Sequence, residues 1–379
     1  MAGLPTKGTE QMTRHGVWAA AVVAAFLGLL SAPAAGQSEP PLPEADEAKQ
    51  PLGPVAIAKV QAFVRYYADR IKAVDQLKST EDCDKIRVAR EGLLKGYARH
   101  ETAFFQSEFA AAAAEQLTPL LASPDPAKQV QVAIALAAMP QPPIQPALEA
   151  MARHPNEGVQ YYAVRGYRMV GRALMTQSGN YAKLMLATLE RLGAQSGSGA
   201  LLGGVFRALV PWPDARKDEA AAAAAMLGTM QKVWLARTRD ILGGKDEIIA
   251  AYQRTLAPLR SVEVADNKPI IQMLADLMEA GTTALLNHQD PKDQTTAALV
   301  LLVGSAESRL VELVPGTQAL VQRILANDRK KFEERTMEAR LAFNNVWKKA
   351  LEGQKIKPGP LPAPASVPAT STAPVSPAK

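Results

Sequence analysis

An all-α fold is what this sequence predicts, and three observations predict it. Apolar residues recur at spacings of three and four. Alanine-rich stretches with high helix propensity are frequent. Convincing strands are missing, since few runs alternate apolar and polar residues as a half-buried strand does. Composition agrees, since only 5% of the residues are aromatic.

The clearest helix opens at Pro54, where Ile57, Val60, Val64, Tyr67, Ile71 and Val74 form one stripe. Proline is at home in a first helical turn. The stripe is too short for an independent coiled coil, so it is expected to pack on the next helix. Ala110–Ala114 and Ala220–Ala225 mark further helices, and their small side chains let axes approach closely. The apolar run Ala297–Val303 is built of helix formers and is assigned to a helix as well.

The two ends differ from this middle. Lys7 and Arg14 precede an uncharged apolar run, Val17–Leu30, followed by small residues that include Ala32-Pro33-Ala34. This is the pattern of a secretory signal peptide, with cleavage expected before Ala35 and a second acceptable site after Gly36. The run is short for a spanning helix, and no later stretch reaches that length, so no transmembrane span is expected in the mature chain. Residues 35–53 read as an acidic, Pro-rich flexible leader. Residues 54–327 are assigned to the helical domain, 328–357 to a basic terminal helix and 358–379 to a disordered Pro/Ala-rich tail. Within the terminal helix, Phe332, Phe343, Val346 and Trp347 are the residues expected to be buried. Arg329 with Glu333 and Lys330 with Glu334 are spaced to pair.

The formal charge is +6, or +5 once Lys7, Glu10 and Arg14 are removed. So small an excess argues only weakly for an anionic partner. No nucleic acid is expected. Its concentration in residues 329–357 makes that helix a candidate for an anionic polymer or membrane surface. Cys83 is the single cysteine and cannot form an internal bridge. It reads as a small residue near a helix start.

Three segments resemble one another. Ser123–Met139, His154–Val170 and Gln289–Gly304 each open with Pro beside Asp or Asn, then carry Gln129, Gln160 or Gln294, then Ala133, Ala163 or Ala298. Asp125, Asn156 and Asp290 are placed to cap the helix that follows. The first two segments lie about 30 residues apart, near the period of helical solenoids. They resemble the first helix of HEAT-type or armadillo-type repeats, best over residues 117–175. That resemblance implies an α-solenoid of antiparallel helix pairs and an interaction surface rather than a reaction. The alternatives are a non-repetitive helical bundle or an α/α toroid.

Residues able to carry chemistry are scattered. His100, His154 and His288 share no metal-ligand spacing, so no metal or cofactor is expected. No nucleophile elbow or phosphate-binding glycine loop occurs. Ser196-Gly197-Ser198-Gly199 reads as a flexible linker between helices. The densest aromatic and basic cluster is Tyr161, Tyr162, Arg165, Tyr167, Arg168 and Arg172. Tyr161, Arg165, Arg168 and Arg172 share one helix face. With Trp212, between two prolines, they form the candidate binding surface. The competing expectation is that the tyrosines fill a seam and the arginines are solvated. The expected function is an exported, non-enzymatic interaction or scaffold protein of the cell envelope, its partner another envelope or exported protein. The alternatives are an envelope or anionic-polymer binder and an exported polysaccharide lyase-like enzyme using Tyr161, Arg165 and His154.

Overall fold

The computed structural model of the chain describes residues 38–358 apart from 177–179, 263 and 265. The expected export signal and all but the first residue of the Pro/Ala-rich tail lie outside the described residues. The chain divides after Pro41, and Leu42–Lys379 forms the larger unit, which holds every described helix. Its fold is all-α, with no strand among the described residues.

The α-helices longer than four residues are α1 Pro54–Ala73, α2 Thr80–Tyr97, α3 Ala103–Leu117, α4 Pro126–Ala137, α5 Gln145–Ala152, α6 Glu157–Thr176, α7 Asn180–Gln195, α8 Gly199–Leu209, α9 Ala220–Arg237, α10 Asp246–Arg260, α11 Lys268–Asn287, α12 Gln294–Leu313, α13 Val321–Leu325, α14 Phe332–Ala342 and α15 Lys348–Gly353. Local chemistry sets several of their starts. Ser79 Oγ accepts the Asp82 N–H at 3.1 Å ahead of α2. Asp125 accepts the Ala127 and Lys128 N–H groups at 2.8 and 3.1 Å ahead of α4. Such caps satisfy donors that a helix leaves free. One helix end is closed from outside: the buried Lys128 ammonium donates to the Lys72 and Val74 carbonyls at the end of α1, at 3.1 and 2.6 Å.

The helices pack in two rows. In one row α1 packs on α3, α3 on α5, α5 on α7, α7 on α9, α9 on α11 and α11 on α14. In the other α2 packs on α4, α4 on α6, α6 on α8, α8 on α10 and α10 on α12. Contacts such as α1 with α2, α5 with α6, α7 with α8 and α11 with α12 join the rows. The apolar core runs between them. Phe206 of α8, Trp234 of α9 and Tyr252 of α10 are fully buried, with ring centroids 4.4–5.1 Å apart. Burial of a large apolar side chain stabilises by about 1.5–3 kcal/mol. The polar tips are satisfied as well: Trp234 Nε1 donates to the Met273 carbonyl at 2.9 Å and Tyr252 Oη to the Trp234 carbonyl at 2.7 Å.

Two of the three similar segments form the same turn. Gln129 Nε2 donates to the Ser123 carbonyl at 2.6 Å, and Gln160 Nε2 donates to the His154 carbonyl at 2.7 Å. The turns are also joined to each other, because Asn156 Nδ2 donates to Gln129 Oε1 at 3.0 Å and to the Pro126 carbonyl at 3.3 Å. The third segment departs from the pattern. Asp290 turns back on the Lys292 N–H at 2.9 Å, while Asp293 caps the helix by accepting from Thr296. Gln294 is therefore the first residue of α12, because the chain makes an extra turn between Pro291 and the helix.

Other expectations need correction. The leader is docked from Leu42 onward: Leu42 and Ala48 are buried, His100 Nε2 sits 2.9 Å from the Pro43 carbonyl, and Thr102 Oγ1 donates to the Ala48 carbonyl. The composition rule failed because two apolar anchors suffice to hold so short a segment. Ser196–Gly199 is an ordered cap in which Ser198 Oγ accepts the Ala200 and Leu201 N–H groups. The terminal helix begins at Phe332 rather than Asp328, and Lys330 pairs with Glu338, not Glu334. A π-helical turn, Phe343–Trp347, interrupts it. Its wider turn brings Phe343 and Trp347, both buried, to the same side and leaves Val346 48% exposed. Trp347 Nε1 docks on the buried Glu307 carboxylate at 2.6 Å. Glu279 receives Arg340 and Lys348, and Arg335 Nη1 reaches the Leu325 carbonyl. Several of the basic residues expected to meet an external polymer are thus engaged within the chain.

Candidate binding groove

On α6 the spacing of four and three places Tyr161, Arg165 and Arg168 along one outer face. Helix α8 comes unusually close to this face because it carries glycine at 204. A Cβ there would meet Val164 Cγ1 at 3.3 Å and the Tyr161 ring at 3.9 Å. Arg207 follows Gly204 by three residues, so it stands on the same side one turn on. The result is a groove of about 380 Å³ between α6 and α8, lined by Tyr161, Val164, Arg165, Arg168, Met169, Gly204 and Arg207.

The electrostatics of the groove are one-sided. Three guanidinium groups line it and no carboxylate does. Arg165 and Arg168 are exposed and have no ion pair or hydrogen bond among the described residues. Arg207 is half-buried, with Nε donating to the Gly203 carbonyl at 3.1 Å and its two terminal nitrogens left over. Tyr161 is half-buried and stands edge-on to Tyr162, with centroids 5.5 Å apart. Met169, 60% exposed, supplies an apolar wall. A site of this kind binds acceptors: the flat fork of arginine matches the two oxygens of a carboxylate or phosphate.

Two of the expected surface residues lie elsewhere. Arg172 turns away to the buried carboxylate of Glu219, with both bonds 2.8 Å, and to Asp214 at 3.0 Å. Trp212 is half-buried with the Arg172 guanidinium 5.6 Å from its ring centroid. Together they brace α6 against the turn ahead of α9. The Arg172 hydrogen bonds, followed by the Arg216 N–H, hold the Glu219 carboxyl down at about 2 from its ordinary 4.5. His154 also stays outside the groove. Its Nδ1 accepts the Asn156 N–H at 3.0 Å, so the ring proton sits on Nε2, 3.1 Å from the Leu121 carbonyl. The Tyr161, Arg165 and His154 grouping expected of a lyase-like site does not come together. Among the described residues no cluster of His, Cys, Asp or Glu is arranged to hold a metal ion, and Cys83 is exposed.

Set against known proteins, the chain matches no family model and no curated protein. The groove is read from its own chemistry. A larger cavity, about 960 Å³ between α1 and α2, mixes Arg70, Lys78 and Lys85 with Asp75, Glu81, Asp82 and Asp84, so carboxylates offset its basic charges. The groove does not compensate itself. Arg207 was missed in the sequence. Its signal there was a lone arginine in the apolar helix Gly199–Leu209, one helical turn after a pair of glycines.

Proposed function

We propose that this chain is an exported, non-catalytic interaction protein of the cell envelope that binds its partner through the groove between α6 and α8. The observation that carries the reading is the convergence of Arg165, Arg168 and Arg207 on one concavity without a carboxylate. The nearest-neighbour packing of helices in two rows supports a HEAT-like helical-repeat scaffold, since such arrays present extended surfaces. The matching turns at Ser123 and His154 support it further. Export is supported by the charged and apolar N-terminal segment ending in Ala32-Pro33-Ala34. No helix among the described residues is long and apolar enough to cross a membrane. The test is affinity capture from an envelope fraction with the full chain and with Arg165→Ala/Arg168→Ala. The expected outcome is a protein retained by the first and lost by the second. Equal capture by both would remove the groove from the function.

A further inference from the structure

We infer that the ligand of the groove is an acidic peptide segment of the partner, lying across α6, α8 and α10 with its carboxylates about three residues apart. This rests on the interaction reading above and names the chemistry of the partner.

The first argument is the balance of donors and acceptors. Arg165, Arg168 and Arg207 offer only donors, and the Tyr161 hydroxyl is the one side-chain oxygen in the lining able to accept. A sugar chain presents many hydroxyls, each needing an acceptor as well as a donor. In this lining most of those hydroxyl protons would be left without a partner, which is costly once water is displaced. A carboxylate is acceptor-only and is fully satisfied by such a lining. The apolar wall of Met169 and Val164 then suits the aliphatic side chains that a peptide carries beside its acidic ones. Phosphate polymers present no such apolar groups.

The second argument is register. Gly199 lies against the Glu247 backbone and Gly203 against Ala251, so α8 and α10 run parallel with one constant offset. By that offset Arg207 is level with Thr255, so Arg254, three residues past Ala251, stands one residue away, about 1.5 Å along the axis. The two arginines therefore lie within about 1.5 Å of the same level on neighbouring helices. Arg254 is exposed and, like Arg165 and Arg168, has no ion pair among the described residues. Packed helix axes lie about 8–10 Å apart. An extended peptide advances about 3.3 Å per residue, so acidic residues three apart fall about 10 Å apart and meet successive helices.

The experiment uses the full chain and a fluorescein-labelled peptide with Glu at every third position, Leu and Ala between and Gly at the ends. Fluorescence anisotropy at low salt should show binding that weakens as salt is raised, since the contacts are exposed charges. Arg165→Ala/Arg168→Ala/Arg207→Ala should weaken it about tenfold or more, equivalent to about 1.4 kcal/mol. Arg254→Ala should weaken the spaced peptide while leaving unchanged a peptide with a single Glu. If the triple variant melts early, Arg165→Lys/Arg168→Lys replaces it, keeping the charge and removing the fork. Equal binding by the variants, or binding of polygalacturonate or polyphosphate but not of the peptide, overturns the inference. Peptide failure with groove-dependent envelope capture intact overturns the peptide and leaves the interaction reading standing.

Discussion

Glu219 is nearly inaccessible to solvent yet ionised, because Arg172 grips both of its oxygens and Arg216 offers its backbone N–H. Its carboxyl is held at about 2 against an ordinary 4.5. A depressed pKa in the folded state means that the unfolded chain takes up the proton first. The stabilisation from this brace is therefore complete above about pH 4.5 and is lost as pH falls toward 2. Melting temperatures measured across that window should fall for the natural chain and fall less steeply for Glu219→Gln. A second residue-scale prediction concerns two glycines in one tetrapeptide. A Cβ on Gly199 would lie 2.2 Å from the Glu247 carbonyl oxygen, whereas a Cβ on Gly197 would meet nothing within 4 Å. Gly199→Ala should cost about 1–3 kcal/mol by urea denaturation, the usual range for overpacking, because backbone cannot swing aside. Gly197→Ala should be neutral or slightly stabilising.

At the scale of elements, side chains act as joints between helices. Gln129 closes its own turn and also receives Asn156 from the next one. Gln129→Ala and Asn156→Ala should each cost about 0.5–1.5 kcal/mol, and the double variant should differ from their sum. A double-mutant cycle in urea measures that coupling; strict additivity would mean that the two turns do not support each other. The terminal helix gives a sharper contrast. Phe343 is fully buried beneath the π-helical turn while Val346 is 48% exposed. Phe343→Ala should cost about 3–5 kcal/mol, and Val346→Ala should stay within about 0.5 kcal/mol.

For the unit from Leu42 onward, packing is local along the chain: strong helix contacts join helices one or two apart, with α11 on α14 the longest step because α13 is a single short helix. Stability in such an array is close to a sum of nearest-neighbour terms. Damage at one end should then stay there. In Phe343→Ala, hydrogen exchange followed by mass spectrometry should speed up in α11–α15 and remain unchanged in α1–α4. Uniform acceleration through all helices would show that the unit unfolds as a single cooperative block.

The sequence by itself determined the helical class, because period, alanine content and turn residues are local properties that each helix satisfies alone. It also determined that Tyr161, Arg165 and Arg168 share a face, since helix geometry fixes that spacing. Two of the repeated turns were legible for the same reason, Gln129 and Gln160 reaching back within their own segments. Only the tertiary structure decided that Arg172 leaves this face, because its carboxylate partner lies on a different helix connection, 47 residues away. It also brought in Arg207, whose place depends on how closely Gly204 lets α8 approach α6. The docking of Leu42 and the π-helical turn at Phe343 belong there too. Both are settled by surfaces that distant segments provide, and a periodicity read along one segment carries no record of them.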